Sequence, residues 1–404
     1  MNLSCNPIWK ALENIKGSRR SMVPHKCLTM VSLAVLGAGN AGCSLAGEMT
    51  LLGFDVSLAE LPQFKTNLEV PMKKGGIQVT GELKNGFAKV KKMTFDIKDA
   101  VEGRDLIFIT SPAFGHEAFT RACAPHLKQG QALIYISYFG ALRMRKLLNS
   151  LGVGPEKVTT SETASFIYAC DRVGKKGAFF MDRYKDDAKV VIKRDKDRLP
   201  FAAFPATKTS EILRKVNELL PSVVAADNVF ETSINNVNPI SHPAGVILNA
   251  GWIEHTEGKF SFYLEGQTPS VQKVAKAMDQ EKMAVAASLG LKKISNPEWS
   301  KILYAKYIDK KTGNVHQEKY YKNVYDAPPN LKHRYLTEDV IYGLVPMCSI
   351  AKVAGIQTPA FNSIITLASI ANEVDYWQEG MTLDKLDLQG KSLQQMLTFV
   401  NTGH

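Results

Sequence analysis

The feature that most constrains the fold of this chain is a set of three glycines in the order G-x-G-x-x-G at residues 37–42. The mostly apolar segment Val31–Leu36 precedes the glycines, and a helical pattern of apolar residues follows them through Leu52. Such a short apolar segment is typical of a strand buried on both faces of a sheet. Strand, glycine turn and helix in this order predict the first βα unit of a Rossmann-type sheet.

Further strand patterns alternate with helical patterns in the first half of the chain. They are Asp55–Glu60, a hairpin within Gly76–Val90 that turns at Asn85-Gly86, Asp105–Thr110, Gln131–Ser137 and Val158–Ser161. Strands that alternate with helices are joined by right-handed crossovers, so the sequence predicts an α/β fold with a mostly parallel sheet.

The pattern changes beyond residue 227, where helical periodicity replaces strand-like segments. The helical patterns are Ala244–Trp252, Val271–Leu289, Asp339–Val353 and Ser363–Trp377. Because 404 residues exceed what one core usually organises, two domains are expected. We place a Rossmann-type domain at 30–226 and an all-helical domain at 227–404, with 1–29 as a flexible extension. The segment 310–330, rich in Lys, Tyr, Asn and Pro, is predicted to be a long loop near a site.

The glycine-rich turn has the geometry that a dinucleotide needs. Gly37 permits a tight turn, Gly39 lets the backbone approach a pyrophosphate, and Gly42 lets the helix lie close to the strand. Ala38, Asn40 and Ala41 complete a cradle at a helix N-terminus, which attracts phosphate.

Glu60 ends the next strand, where a carboxylate accepts hydrogen bonds from the hydroxyls of the adenosine ribose. A carboxylate there repels a 2′-phosphate, so we expect NAD as the cofactor, with NADP as the alternative. Four more cofactor contacts are predicted beyond the strand that ends at Thr110, on the edge where open α/β sheets bind ligands. They are Ser111, Pro112, Ala113 and Phe114, which would pack against the nicotinamide half; a plain proline turn is the alternative.

Composition excludes several classes of partner. The formal net charge is +11, but the basic residues lie in mixed-sign stretches such as 193–198, which indicate solvated surface rather than a nucleic-acid site. No apolar segment is long enough to cross a bilayer, so no membrane partner is expected. The six cysteines include no CxxC pair, which indicates reduced thiols in the cytoplasm and no metal site.

Redox chemistry on a dinucleotide requires the protein to manage a proton, and His242 is the candidate. Two prolines flank it in the segment 238–243, which we predict to be a rigid loop before a helix. A helix-start histidine without chemistry is the alternative. In a second polar cluster, Arg334 could grip a carboxylate through a bidentate fork, and Asp339 could orient His242. There the alternative is that Thr337 caps a following helix.

Five motifs together resemble the octopine/nopaline (opine) dehydrogenase family between residues 31 and 361. They are VLGAGNAG at 35–42, SPAFGHEAF at 111–119, SET at 161–163, NPISHPAG at 238–245 and RYLTEDVIYG at 334–343. Such enzymes condense the amino group of an amino acid with a 2-keto acid, often pyruvate, and reduce the imine with NAD(P)H. The resemblance implies an oxidoreductase acting on CH–NH donors.

The resemblance also implies roles for individual residues. His242 would be the acid/base and Asp339 its partner, while Arg334 would bind a substrate carboxylate or anchor a loop. Glu162 would contact the amino substrate. Tyr138-Phe139 departs from the family, whose members can carry a polar residue in this loop, so substrate contacts of another kind are expected there.

Two other functions stay open on the residues alone. A ketopantoate- or glycerol-phosphate-like reductase would act on a keto or hydroxy acid without an amine. A non-catalytic NAD(H)-sensing protein would bind the cofactor without turnover. A monomer and a homodimer are equally compatible with the sequence.

Overall fold

The computed structural model describes residues 31–173, 187–310, 312–315 and 327–404, and residues 31–404 form one compact unit. The predicted extension at 1–29 and most of the predicted loop at 310–330 lie outside the described residues. Within the described ranges, every helix is too short or too polar to pass through a bilayer.

The described residues contain twelve strands. They are β1 Leu33–Leu36, β2 Val56–Ala59, β3 Ile77–Gly81, β4 Gly86–Ala88, β5 Lys92–Thr94, β6 Leu106–Ile109, β7 Gln131–Ile136, β8 Val158–Thr163, β9 Tyr168–Val173, β10 Lys189–Asp195, β11 Leu199–Phe204 and β12 Val223–Ala225. Eight of them form one sheet in the order β12-β11-β8-β7-β6-β1-β2-β5, in which only the β8–β11 pair is antiparallel. The mostly parallel sheet is therefore confirmed.

Strand β1 explains why the strands read as continuous apolar segments. Its alternate residues enter two different cores, with Leu33 and Val35 on one face of the sheet and Ala34 and Leu36 on the other. A strand covered on both faces has no polar side to present. The strand order reverses at β1, which lies between β2 and β6, and ligands of open α/β sheets bind at such a switch point.

A second, four-stranded sheet has the order β4-β3-β10-β9 and contains the predicted hairpin as β3 and β4. The prediction of solvated surface at 193–198 is wrong for two of these residues. Arg194 and Lys196 are buried, and both place their cationic groups over the ring of Tyr304. Long basic side chains can be buried in this way because their stems are apolar and an aromatic face attracts the charge.

The helices of the described residues fall into two groups. In the sheet-containing part they are α1 Asn40–Leu51, α2 Thr66–Lys74, α3 Ile97–Val101, α4 His116–Cys123, α5 Gly140–Ser150 and α6 Thr209–Leu219. The later part contains α7 Val229–Ile234, α8 Asn238–Leu248, α9 Ala250–Thr256, α10 Pro269–Ser288, α11 Asn296–Leu303, α12 Arg334–Asp339, α13 Val345–Val353, α14 Pro359–Asn372, α15 Tyr376–Glu379 and α16 Leu393–Thr402. The helical character of the later part is confirmed, and residue 226 remains our proposed boundary.

One local prediction and one alternative in the helical part are wrong. The segment 238–243 is not a loop but the first half of α8, so His242 lies within a helix. Pro239 is tolerated because it stands in the first turn, where its missing N–H removes no helical hydrogen bond. Thr337 is not a cap either, because α12 begins at Arg334 and the ring of His333 caps it.

A single π-helical turn, Val340–Leu344, follows α12 directly. It packs tightly on the start of α8, because a side-chain carbon at Gly343 would lie 2.4 Å from Cγ of Pro239. Only glycine allows this approach, which brings the end of α12 next to α8. Turns of this kind are frequent at functional sites.

Candidate active site

The glycine-rich turn connects β1 to α1 with the geometry that the sequence predicts. Gly37 has a φ of 102°, a left-handed value that favours glycine. A side-chain carbon at Gly42 would lie 1.7 Å from the carbonyl oxygen of Gly37, so the helix approaches the turn too closely for any other residue. The same carbon at Gly39 would meet no atom within 4 Å. The turn therefore leaves room beside Gly39 at the N-terminus of α1, where a pyrophosphate fits.

A residue of β9, Arg172, fastens this turn from the neighbouring sheet. Its backbone N–H donates to Oδ1 of Asn40 at 2.9 Å, and its guanidinium donates to the carbonyl oxygen of Ala38 at 3.0 Å. Arg172 could not be predicted from the sequence, because no motif marks an arginine that binds backbone carbonyls. Ala41 lies half-buried in the first turn of α1. The cofactor contacts of Ala38, Asn40 and Ala41 remain predictions.

Glu60 is almost fully buried beside the glycine turn. Its carboxylate accepts hydrogen bonds from the backbone N–H groups of Ala38 and Leu61, each at 2.9 Å, and from Nδ2 of Asn67 at 3.1 Å. Burial raises the pKa of Glu60 above its usual value, although these hydrogen bonds and the charge of Arg172 oppose the rise. The carboxylate thus braces the turn, and its contact with a ribose remains a prediction.

The loop after β6 meets the helical part of the chain. The backbone N–H of Ala113 donates to Oε1 of Glu338 at 2.6 Å, and the Ala113 carbonyl accepts from Arg143 at 3.0 Å. Ser111 and Pro112 precede this residue at the carboxyl end of β6, and the Phe114 ring is exposed. The loop therefore lies at the predicted edge of the sheet, and its contact with the nicotinamide remains a prediction.

His242 and Asp339 meet, although 97 residues separate them. Nδ1 of His242 lies 2.9 Å from Oδ2 of Asp339, and both side chains are buried. The ring is fixed on a second side by Tyr335, which stacks on it with centroids 3.9 Å apart and planes 15° apart. An imidazole held by a carboxylate at one nitrogen can exchange a proton at the other.

The second ring nitrogen of His242 faces a pair of tyrosines. Nε2 lies 2.9 Å from the hydroxyl of Tyr263, which in turn lies 3.1 Å from the hydroxyl of Tyr335. The sequence analysis missed Tyr263, because it stands outside every motif. Tyr335 and Glu338 both lie inside the RYLTEDVIYG motif, which could have directed attention to them.

The side chain of Arg334 lies next to this pair and is partly exposed. Its Nη1 lies 3.1 Å from Oε2 of Glu338, yet 41% of its side chain is exposed. Burial raises the pKa of Glu338, and the charge of Arg334 opposes the rise. Glu338 thus holds Arg334 and the loop after β6 together. The contact of Arg334 with a substrate carboxylate remains a prediction.

Glu162, the predicted contact to the amino substrate, is fully enclosed at the end of β8. Its oxygens accept hydrogen bonds from the hydroxyls of Thr232 and Ser233 and from the backbone N–H of Ala141. Burial raises the pKa of Glu162, while these bonds oppose the rise. This geometry ties the sheet to α7 and does not support a direct substrate contact, which stays a prediction.

Tyr138, which the sequence marked as a departure, reaches the same site from the loop after β7. Its hydroxyl donates to Oδ1 of Asp339 at 2.7 Å. Burial, followed by the charge of Asp339, raises the pKa of Tyr138 well above 10, so the hydroxyl keeps its proton. The loops after β6 and β7 therefore both contact α12, and they place His242 and Asp339 over the carboxyl edge of the sheet.

Known proteins are similar to this chain in sequence and in fold. Residues 225–372 match the family model of the NAD/NADP octopine/nopaline dehydrogenase alpha-helical domain. A curated opine dehydrogenase from Arthrobacter sp. (strain 1C) is 33% identical over 359 residues, or 88% of this chain and 95% of that protein. A solved octopine dehydrogenase with NADH and L-arginine has a TM-score of 0.68 at 20% identity, covering 91% of this chain and 98% of its own. A ketopantoate reductase from Ralstonia eutropha JMP134 has a TM-score of 0.55 at 16% identity, covering 85% and 99%. Identity of 33% over nearly a whole relative shows that this chain belongs to the opine dehydrogenase family of NAD(P)-dependent oxidoreductases.

Proposed function

We propose that this protein condenses an amino acid with a 2-keto acid such as pyruvate and reduces the product with NAD(P)H. One observation carries the proposal: the pair formed by His242 and Asp339 is anchored, through Tyr138 and Glu338, to the loops after β7 and β6 at the carboxyl edge of the sheet. A proton donor and a hydride donor would thereby be directed to the same place. An imine needs both when its C=N bond is reduced.

The cofactor would lie with its pyrophosphate at the turn formed by Gly37, Gly39 and Gly42, and its nicotinamide near the loop 111–114. Bound there, it supplies the hydride. The open space beside Gly39 and the N–H groups at the start of α1 support this placement. We propose NAD as the preferred form because Glu60 stands beside the turn.

His242 would exchange the proton at Nε2 with the reacting amine, because Nδ1 is held by Asp339. The carboxylate stabilises the imidazolium and fixes the ring orientation. Arg334, whose side chain is 41% exposed, would bind the carboxylate of the keto acid. The hydroxyl of Tyr263 already lies at hydrogen-bond distance from Nε2 and marks where a substrate atom is expected.

The test is a screen of NADH oxidation, with pyruvate or glyoxylate crossed against the common amino acids. We expect oxidation that requires both partners, and we expect His242→Ala to lower turnover about 10²–10⁴-fold with nearly unchanged NADH affinity. His255→Ala is the matched control, because His255 is exposed at the end of α9. Full turnover in His242→Ala would refute the assignment.

The same screen separates the alternatives. Oxidation of NADH with a keto acid and no amine would favour a reductase of the ketopantoate type, whose fold this chain shares. Cofactor binding with no turnover on any pair would favour an NAD(H) sensor. The buried pair of His242 and Asp339 favours the enzyme.

We also propose a cytoplasmic location and a monomer or homodimer. The cysteines of the described residues, Cys43, Cys123, Cys170 and Cys348, are free thiols, as a reducing compartment allows. Burial raises the pKa of Cys348 to about 12, so this thiol stays protonated and unreactive.

A further inference from the structure

Three successive residues between β7 and α5 adopt left-handed backbone conformations, although none of them is glycine. Ser137, Tyr138 and Phe139 have φ values of 55°, 60° and 55°. Side chains disfavour this region, and bulky residues rarely occupy it even singly. Strained backbone of this kind persists only where surrounding contacts impose it, and it clusters at functional sites.

The turn is imposed by hydrogen bonds from both parts of the chain. The side chain of Asn236 donates to Oγ of Ser137 at 3.1 Å, and the backbone N–H of Phe139 donates to Oγ of Ser233 at 2.6 Å. Arg143 donates to the carbonyl oxygen of Tyr138 at 3.2 Å. The helical part therefore helps to hold a turn that belongs to the sheet.

The result of this turn is a directed hydroxyl. Tyr138 is only 6% exposed, and its hydroxyl donates to Oδ1 of Asp339, while Oδ2 faces His242. Asp339 thus has two partners. The hydrogen bond from Tyr138 to Oδ1 withdraws negative charge from the carboxylate, and this changes how strongly Oδ2 attracts the proton on His242.

We propose that Tyr138 is a positioning residue that sets the proton affinity of His242 through Asp339. The proposal rests on the proposed function of this pair. The Tyr138 hydroxyl shares the negative charge of Asp339, which weakens the pull of the carboxylate on the imidazolium. Without that hydroxyl, Asp339 would hold the His242 proton more tightly.

Other charged and titratable groups also face the pair. They are Arg334, Tyr335 and Glu338 on α12, His333 at its cap, Tyr263 before α10, and Arg143 on α5. Burial, followed by the charges of Arg334 and His242, lowers the pKa of His333 to about 3, so that ring stays neutral near pH 7. These groups are unchanged when only the hydroxyl at position 138 is altered.

The experiment follows the His242 ring by NMR titration, with its signal assigned by its loss in His242→Gln. One hydrogen bond to a carboxylate is worth about 1.5–3 kcal/mol, or roughly 1–2 pH units at the carboxylate itself. Because Asp339 passes on only part of this effect to the ring, we expect Tyr138→Phe to raise the titration midpoint by about 0.5–1 pH unit. Fluorotyrosine at position 138 is a stronger donor and should lower the midpoint. Tyr135→Phe is the matched control, because Tyr135 is also buried but its hydroxyl contacts Thr120.

Steady-state rates give a second measurement. The reductive reaction uses the protonated ring, so its loss of rate with rising pH should move to higher pH in Tyr138→Phe. A purely structural role would lower the rate without moving the profile. If Tyr138→Phe failed to fold, the titration midpoint of His242 in the fluorotyrosine protein would test the proposal by itself.

An unmoved midpoint in both altered proteins would overturn the proposal. If the midpoints moved as expected while the wild-type protein showed no amine-dependent oxidation, the proposed function would fail and the role of Tyr138 would stand.

Discussion

Replacing Gly39 by alanine should separate cofactor binding from folding. The added methyl group would meet no protein atom within 4 Å, and the φ of −75° at this position suits alanine. The methyl group would instead occupy the space through which a pyrophosphate approaches the turn. We therefore expect Gly39→Ala to fold normally but to bind the cofactor more weakly.

The two effects differ in size. Gly39 is the N-cap of α1, and alanine at an N-cap costs at most about 1 kcal/mol of helix stability. Displacing the pyrophosphate would remove at least one hydrogen bond to a charged oxygen, worth about 1.5–3 kcal/mol. At 1.4 kcal/mol for each tenfold change, NADH affinity should fall roughly 10- to 150-fold.

Calorimetric titration with NADH and thermal unfolding measure the two effects. Gly251→Ala is the control for an added methyl group, because Gly251 in α9 also has no atom within 4 Å. It should leave NADH binding unchanged. Gly42→Ala should lose stability as well as binding, since its methyl group would lie 1.7 Å from a backbone oxygen. Wild-type NADH affinity in Gly39→Ala would show that the pyrophosphate does not lie at this turn.

Three further predictions concern the site and its supports. Asp339→Asn should lower turnover on the order of 10²–10⁴-fold while NADH titration stays near wild type; steady-state rates equal to wild type would contradict the pairing with the imidazole. Glu162→Ala should lower the free energy of unfolding in urea by about 3 kcal/mol, because three buried donors lose their acceptor, and Glu162→Gln should lower it less. A raised KM for the amino acid at unchanged stability would instead support a substrate contact. Burial, followed by the charge of Arg143, holds the pKa of His116 well below 6.5, so its contribution to stability is complete above pH 6.5 and falls as the pH drops below that value, by up to about 1.4 kcal/mol per pH unit. Urea titrations from pH 7.5 to 5.5 should show this slope, and His116→Gln should flatten it; identical slopes would exclude this cause.

Strand β1 and the glycine turn after it are parts of the fold that local sequence predicts well. Strand β1 is apolar throughout because both of its faces are covered, and the glycine turn follows from contacts that only glycine allows. Strand β10 was missed because its buried and partly exposed positions alternate through basic residues, and Arg194 is buried by stacking on an aromatic ring. Such stacking depends on a residue more than a hundred positions away, which local patterns do not register.

Local sequence patterns are limited in the same way at the candidate active site. Motifs named His242 and Asp339, but their contact depends on the close packing of Gly343 against Pro239, which only the folded chain reveals. In the sequence, Tyr138 stands out only as an aromatic residue in a loop where members of the family can carry a polar one. Its hydroxyl reaches Asp339 because a left-handed turn directs it there, and no sequence pattern predicts that turn.

The hydrogen bonds that join the sheet to the helices bear on how relatives in this family can be recombined. Ala113, Tyr138 and Glu162 lie on the sheet side, and their partners lie beyond residue 226. A chimera that takes its helices from one enzyme and its sheet from another would mismatch these pairs unless both members were transplanted together. An exchange of helices would therefore also change the partners of Ala113, Tyr138 and Glu162, so these residues and their partners are inherited as one unit.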